Sequence, residues 1–204
     1  MSVRGHQGGF RLREFDLIIV GVGGQGAITA SDIIGKAAVR QGLPVQASET
    51  HGMAQRGGSV INHVRLDCKY GSLIPEGRAD AILALEPVEA LRAIEFLSPE
   101  GVVVINTNPV LPISVLSGSS KYPEVETILT QLRSRCKELV AIDAGSIAIE
   151  AGHPLTSNVV MIGALSNYLP LDVKILEESI SNIVPPKTID VNLSAFRLGR
   201  KQIE

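Results

Sequence analysis

A glycine-rich segment directly after a buried strand constrains the fold of this chain more than any other feature. The apolar run Leu17-Ile18-Ile19-Val20 is followed by Gly21-Val22-Gly23-Gly24-Gln25-Gly26, and a helical pattern begins near Ala27. The first, third and sixth positions fit the G-x-G-x-x-G of dinucleotide-binding turns. Such a turn gathers free backbone N–H groups at the positive end of a helix dipole, where they bind phosphates and other anions. The segment therefore predicts an anion site between a strand and a helix.

Strand patterns and helix patterns alternate along the rest of the chain, which favours a parallel-rich sheet covered by helices. We expect a three-layer, Rossmann-like α/β fold whose sheet is parallel or mixed, with helices on both faces. Residues 1–14 are predicted to be a flexible lead-in and residues 15–204 a single α/β domain. The predicted strands are Phe15 to Val20, Val45 to Ser48, Ser59 to Leu66, Ala81 to Leu85, Val102 to Ile105 and Leu139 to Ile142. The strand from Ser59 alternates in polarity, so we expect it at an edge or against a partner.

Composition excludes several classes of function. The net charge of −2, the 3% of aromatic residues and the lack of Trp argue against a nucleic-acid surface. No apolar run approaches the roughly 20 residues of a membrane span. The polar N-terminus lacks the apolar core of a secretion signal, so we expect a cytoplasmic protein. The two cysteines, Cys68 and Cys136, are far apart and predict no metal site and no disulfide framework.

The first glycine segment has three interpretations when it is considered alone. It can bind NAD or FAD, with Glu49 near the end of the second strand as the acid that binds the ribose. It can simply permit a tight turn between strand and helix. It can also bind another anion, such as the phosphates of coenzyme A. The first interpretation, a free-standing dehydrogenase that binds NAD or FAD, is less favoured, because the chain lacks an obvious substrate domain and its polar residues cluster at positions 49–59.

A second glycine segment, His51-Gly52-Met53-Ala54-Gln55-Arg56-Gly57-Gly58-Ser59, is more specific. Together with the first segment, it resembles the small (gamma-type) subunit of the 2-oxoacid:ferredoxin oxidoreductases. The pyruvate and 2-oxoglutarate branches typically read Tyr-Gly-Pro-Glu-x-Arg-Gly-Gly here, and the present variant looks like the β subunit of the indolepyruvate branch. The resemblance covers about Phe15 to Leu169. Three further stretches fit it: Leu73-Ile74-Pro75-Glu76-Gly77, Ala84-Leu85-Glu86-Pro87-Val88-Glu89-Ala90-Leu91 and Asn158-Val159-Val160-Met161-Ile162-Gly163-Ala164-Leu165.

The resemblance implies a complex with a large α subunit. That subunit is expected to carry thiamine diphosphate, its magnesium ion and the iron–sulfur clusters. The implied reaction is oxidative decarboxylation of indolepyruvate or another arylpyruvate to the aryl-acetyl thioester of coenzyme A, with ferredoxin as electron acceptor. The residues agree on one point, because two cysteines cannot hold a four-cysteine cluster and the chain has no Gly-Asp-Gly followed by a distant Asn. We therefore expect a subunit that carries no redox cofactor and is inactive alone.

The candidate site residues come mainly from the two glycine segments. Arg56 can hold a phosphate or carboxylate by a forked contact, or form an ion pair in a subunit interface. His51 is the one candidate proton donor, although such a residue more often hydrogen-bonds within its loop. The candidate cofactor-binding residues are Gly21, Gly23, Gly24, Gln25, Gly26, Arg56, Gly57 and Gly58. The candidate contacts with a ligand or with the large subunit are Glu49, Met53, Gln55, Ser59 and Asn158.

Overall fold

The computed structural model describes residues 14–51, 58–68 and 71–203. Within these ranges the chain alternates between strands and helices as predicted. The strands are β1 (Phe15–Val22), β2 (Val45–His51), β3 (Ser59–Leu66), β4 (Ala79–Ala84), β5 (Leu97–Asn106) and β6 (Glu138–Ile142). The helices are α1 (Ala27–Arg40), α2 (Pro87–Ala93), α3 (Ile113–Leu116), α4 (Val125–Arg133), α5 (Ala144–Ala151), α6 (Ser157–Leu165), α7 (Val173–Ile183) and α8 (Ile189–Arg200). Short 3₁₀ turns lie at Ile94–Phe96, Pro154–Thr156 and Pro186–Thr188.

The six strands form one mixed sheet in the order β2-β3-β1-β4-β5-β6. Strands β1, β4, β5 and β6 are parallel, whereas β3 is antiparallel to both of its neighbours, β1 and β2. The predicted edge position of the strand from Ser59 is therefore wrong. The β2–β3 hairpin folds back into the sheet, so β3 lies inside it and β2 forms the edge.

Helices cover both faces of the sheet, which confirms the three-layer fold. Strand β1 is buried on both sides: Leu17 and Ile19 belong to the core beneath α1, while Ile18 and Val20 belong to the core beneath α2. Helices α1, α5, α6, α7 and α8 share the first core, and α2 and α4 share the second. The chain thus changes face between the helix after β1 and the helix after β4. Open α/β sheets bind ligands at the carboxyl ends of the strands at such a change of direction.

The boundary between the second strand and the glycine segment differs from the prediction. The predicted second strand ends at Ser48, but β2 continues through His51, with Glu49 opposite Asn62 and His51 opposite Val60. Pairing with β3 therefore overrides the weak strand pattern of this segment. The proposed division into a lead-in and one domain stays a prediction, because residues 1–13 lie outside the described residues. No helix in the described part of the chain is long and apolar enough to cross a membrane.

Helices α6 and α8 cross at unusually close range. A Cβ atom added to Gly163 would lie 2.0 Å from the carbonyl oxygen of Phe196, and one added to Gly199 would lie 1.9 Å from that of Val160. Phe196 is itself fully buried. The two backbones therefore touch without intervening side chains, and in α8 the contact lies in the last turns of the helix.

Candidate functional site

The first glycine segment forms the turn from β1 into α1, and two of its glycines are required by backbone conformation. Gly24 and Gly26 have φ angles of 104° and 82°, in the region that side chains disfavour. Gly26 is also the N-cap of α1, and a Cβ there would lie 2.4 Å from the Nδ2 atom of Asn158. We refer to residues 21–26 as the glycine loop.

Three amides of the glycine loop are occupied within the protein. The Val22 N–H donates to Oε1 of Gln25 at 2.7 Å, and the Gln25 N–H donates to the Val22 carbonyl at 3.0 Å. The Gly23 N–H donates to the carbonyl of Gly58 at 2.9 Å. These bonds hold the loop in one conformation.

The remaining amides of this turn point to a ligand site. Gly24, Gly26 and Ala27 have N–H groups that meet no acceptor among the described residues. Ala27 begins a helix of 14 residues whose N-cap makes no side-chain hydrogen bond. The three N–H groups therefore lie at the positive end of a helix dipole, as an anion requires.

The Gln25 side chain is hydrogen-bonded within the protein, and the residue also lines the cavity described below. Its Nε2 atom donates to the Leu85 carbonyl at the end of β4, at 3.0 Å, and Asn106 donates to the same oxygen at 3.1 Å. The side chain thus bridges β1 and β4 inside the protein. A ligand contact by Gln25 stays a prediction, and such a ligand would have to compete with this bridge.

The two glycine segments meet at the carboxyl end of β1. Val22 lies opposite Ser59 in the sheet, and the Gly58 carbonyl receives the Gly23 N–H. His51 is the last residue of β2 and lies opposite Val60. The Gly58 end of segment 52–57 therefore lies beside the glycine loop, whereas β3 separates the His51 end from β1. That the two segments serve one site stays a prediction. Of the predicted residues, Met53, Gln55, Arg56 and Gly57 lie outside the described residues, as does the side chain of His51.

A cavity of about 330 Å³ lies against the glycine loop on the side of α6 and α8. The N-terminal ends of three helices, α1, α6 and α8, meet around it. The walls include Gly24, Gly26, Thr29, His153, Asn158 and Asn192. The volume of this cavity lies at the lower end of the range that is typical of small-molecule binding sites.

The side chains at the N-cap positions of α6 and α8 do not cap those helices. Thr156 and Thr188 occupy the N-cap positions, but their hydroxyls donate backwards, to the carbonyls of His153 at 2.8 Å and Pro185 at 2.9 Å. Neither hydroxyl accepts a bond from its helix. Three positive helix ends therefore face one cavity whose walls contain no Asp, Glu, Lys or Arg among the described residues.

Asn158 joins the glycine loop to the start of α6, and its predicted contact with a ligand or with the large subunit stays a prediction. Its Nδ2 atom lies 3.4 Å from the Gly26 carbonyl, and its Oδ1 atom accepts the Val159 N–H at 3.0 Å. His153 caps the turn before α6, because its Nδ1 atom accepts the Leu155 N–H at 3.2 Å. It also lines the cavity. No local pattern could have identified His153 or Asn192, because only the tertiary fold brings them to the loop.

Glu49 does not have the position of a ribose-binding acid. It pairs with Asn62, which pairs with Ile19, so Glu49 lies level with the middle of β1 and not with its end. Strand β3 separates it from β1, a distance of two strand spacings or about 10 Å. Glu49 instead lines a groove of about 530 Å³ between the edge strand β2, α1 and α7. Its predicted role as an interface contact remains open to test.

The Ser59 side chain makes a contact on the face of the sheet that α2 covers, opposite the face that α1 covers. Its hydroxyl donates to Oε2 of Glu89 at 2.5 Å, and Arg92 donates to Oε1 of the same carboxylate at 2.5 Å. The neighbouring Glu86 accepts the Glu89 N–H at 3.1 Å and the hydroxyl of Tyr122. Burial, together with the bond to Glu86, raises the pKa of Tyr122 above its ordinary value. Both carboxylates are almost fully buried and hydrogen-bonded.

The titratable groups of the described ranges do not form a metal-binding cluster of three or more His, Cys, Asp or Glu. Cys68 is buried and Cys136 is half-buried, and neither forms a disulfide. Burial raises the pKa of the Cys136 thiol. A raised pKa disfavours the thiolate, which is the form that binds metals.

Comparison with known proteins decides between the families that such a fold permits. The family model described as pyruvate ferredoxin/flavodoxin oxidoreductase matches residues 16–202. The chain belongs to this family. Membership confirms the resemblance that the two glycine segments predict.

Relatives within the family match over almost their whole length. The indolepyruvate oxidoreductase subunit IorB of Archaeoglobus fulgidus is 46% identical over 189 residues, covering 92% of this chain and 94% of the relative. IorB of Pyrococcus horikoshii is also 46% identical, with 93% and 96% covered. The common gamma subunit of the pyruvate/ketoisovalerate oxidoreductases of Pyrococcus furiosus is 31% identical, with 90% and 94% covered.

Solved structures of the family share the fold. The pyruvate oxidoreductase subunit PORC of Thermotoga maritima has a TM-score of 0.69 at 22% identity, covering 93% of this chain and 97% of that one. The 2-oxoglutarate:ferredoxin oxidoreductase of Magnetococcus marinus has a TM-score of 0.69 at 22% identity, covering 94% of this chain but only 31% of that one. The same fold is thus found both as a separate chain and as part of a longer one.

Proposed function

We propose that this chain is the small subunit of an oxidoreductase that decarboxylates indolepyruvate or a related arylpyruvate. The products are carbon dioxide and the aryl-acetyl thioester of coenzyme A, and the two electrons released pass to ferredoxin. The choice of substrate is supported by four relatives that are 42–46% identical and are named subunits of indolepyruvate oxidoreductase. More distant relatives with other substrates are only 29–31% identical.

The role of this chain within the complex is to bind and orient coenzyme A. The observation that carries this proposal is the cavity at the glycine loop, where the amides of Gly24, Gly26 and Ala27 and the N-terminal ends of three helices converge. Such ends bind phosphate through N–H groups and dipoles without a charged side chain. A cavity of about 330 Å³ suits the phosphate part of coenzyme A better than the entire molecule.

The carbanion and electron-transfer chemistry belongs to a partner in this proposal. Thiamine diphosphate and iron–sulfur clusters in a large α subunit would supply that chemistry. The residues of this chain do not fit such groups, since Cys68 and Cys136 are the only cysteines and a cluster requires four ligands. The polar groups around the cavity hold the ligand and are not assigned a proton-transfer step.

The first experiment is co-expression with a large α subunit of an indolepyruvate oxidoreductase from the same source. We expect a stable complex that reduces ferredoxin only when indolepyruvate and coenzyme A are both present, and no activity from either chain alone. Full activity of the large subunit alone would overturn the proposal. Tight binding of NAD or FAD to the isolated small chain in calorimetry would favour the dinucleotide-binding alternative.

The second experiment tests the cavity with a matched pair of variants. Gly24 and Gly42 both have positive φ angles, 104° and 82°, and a Cβ at either position meets no atom within 4 Å. Gly42 lies at the opposite end of α1. Gly24→Ala should raise the KM for coenzyme A about tenfold, a loss comparable to one hydrogen bond to a charged group, whereas Gly42→Ala should leave the KM unchanged. Equal KM values for the two variants would contradict the assignment.

A further inference from the structure

A buried carboxylate on the face of the sheet opposite α1 has no part in the cavity described above. Glu89 lies in the first turn of α2 and is only 5% exposed. Its two oxygens are used by different elements: Oε2 accepts the Ser59 hydroxyl and Oε1 accepts Arg92 from the next turn of α2. Burying an ionised carboxylate is unfavourable unless such partners remain in place.

The Ser59 contact leads directly to the glycine loop. Ser59 is the first residue of β3 and follows Gly58, whose carbonyl receives the Gly23 N–H at 2.9 Å. Two hydrogen bonds and one peptide bond therefore connect the carboxylate of Glu89 with the backbone of Gly23. The other side-chain anchors of the loop, Gln25 and Asn158, act on its other residues.

We propose that Glu89 is a positioning residue for the glycine loop and, resting on the proposed function, for the binding of coenzyme A. Glu89 holds Ser59, and Ser59 fixes the direction of the Gly58 carbonyl. The Gly23 N–H follows that carbonyl, so the orientation of the next peptide, which carries the Gly24 N–H, depends on a contact on the far side of the sheet. A hydrogen bond to a carboxylate is suited to this task because it is stronger than one between neutral groups.

The positioning step is tested on the isolated chain by hydrogen exchange. Ser59→Ala removes the donor from an exposed position without opening the core, and Glu89→Gln removes the charge. We expect both variants to exchange the Gly23 amide at least tenfold faster than the native chain, whereas the amides of Leu17 to Val20 keep their rates. Unchanged exchange at Gly23 in both variants would overturn the proposal, whatever the chain binds.

The functional step is tested in the complex with the large subunit. Ser59→Ala should raise the KM for coenzyme A about tenfold with little change in kcat, and Ser59→Thr, which restores a hydroxyl, should recover the native KM. Ser134→Ala is the control, because Ser134 is exposed and its hydroxyl donates only to the Gln131 carbonyl at the end of α4. Faster exchange at Gly23 with an unchanged KM would show that Glu89 positions the loop and that the loop does not bind coenzyme A, which would contradict the proposed function separately.

Discussion

The crossing of α6 and α8 gives the sharpest prediction of stability. In Gly163→Ala the new methyl group would lie 2.0 Å from the Phe196 carbonyl oxygen, against 3.4 Å or more in an ordinary contact. The atom on the other side belongs to the backbone of α8, so no side chain can rotate away. The helices must separate by more than 1 Å, or their backbones must distort.

The magnitude follows from two opposing contributions. Alanine favours a helix over glycine by about 1 kcal/mol. Overpacking a close-packed core costs typically about 1–3 kcal/mol and more where a backbone must move. Since the overlap here is with backbone on a fully buried face, we expect Gly163→Ala to lower the free energy of unfolding by roughly 2 kcal/mol or more, which corresponds to a fall in Tm of roughly 4–8 °C for a domain of this size.

The assay is chemical unfolding of the isolated chain, followed by circular dichroism, with Gly35→Ala as the matched control. Gly35 lies inside α1, and a Cβ there meets its nearest neighbour, Cγ1 of Val45, at an ordinary 3.9 Å. The control should therefore gain up to about 1 kcal/mol from helix propensity alone. A Gly163→Ala variant as stable as the native chain would refute the close backbone contact between α6 and α8. Because these helices supply two walls of the cavity, the same substitution should also weaken coenzyme A binding in the complex.

Three further substitutions test the site and its supports. Burial lowers the pKa of His63 below 6.5, so the contribution of neutral His63 to stability is full above that pH and is lost as the pH falls. His63→Asn keeps an acceptor for the Ile74 N–H and should flatten the decline in the free energy of unfolding between pH 7.5 and 5.5. An unchanged slope would contradict this. Gln25→Ala removes the bridge to the Leu85 carbonyl and should destabilise the chain by about 1–3 kcal/mol in urea unfolding, whereas a neutral effect would argue against the bridge. Asp143→Ala removes the N-cap of α5 and should lower the free energy of unfolding by about 1 kcal/mol at pH 7. The loss should be smaller at pH 3, because bonds to Ser146 lower the pKa of this carboxyl and their stabilisation is lost as the carboxylate becomes protonated. An equal loss at both pH values would count against the cap.

The sequence predicts the order of elements well because burial leaves a direct pattern in it. The apolar run of β1 is buried on both faces, and the apolar segment that became α6 is entirely buried. The place of β3 could not be predicted in the same way. Its alternate residues His63 and Arg65 look solvated, but His63 accepts the Ile74 N–H and Arg65 pairs with the buried Asp16 at 2.8 Å. Polar residues that find partners inside a fold leave the same pattern as an edge strand.

Only one side of the candidate site could be predicted from the sequence. Two glycine segments far apart in the chain could be recognised as belonging together, and the bond between Gly23 and Gly58 joins them. The opposite wall comes from helices that follow the last strand, and of its residues only Asn158 belongs to a stretch that the sequence singles out, whereas His153 and Asn192 do not. The hydrogen bond from Gln25 to the Leu85 carbonyl could not be predicted either, because a polar residue in a binding loop has the same spacing in the sequence whether it contacts a ligand or a backbone carbonyl.

The insertion of β3 explains how one glycine motif can serve a ligand other than a dinucleotide. In a Rossmann fold the second parallel strand lies beside β1 and carries the acid that binds the ribose at its end. Here β3 takes that place and moves β2 to the edge, so Glu49 is displaced from the glycine loop. The same insertion brings the start of β3 to the end of β1, where Gly58 can accept the Gly23 N–H. The rearrangement therefore removes one recognition element and supplies an anchor for the loop, while the free amides at the start of α1 remain available for an anion.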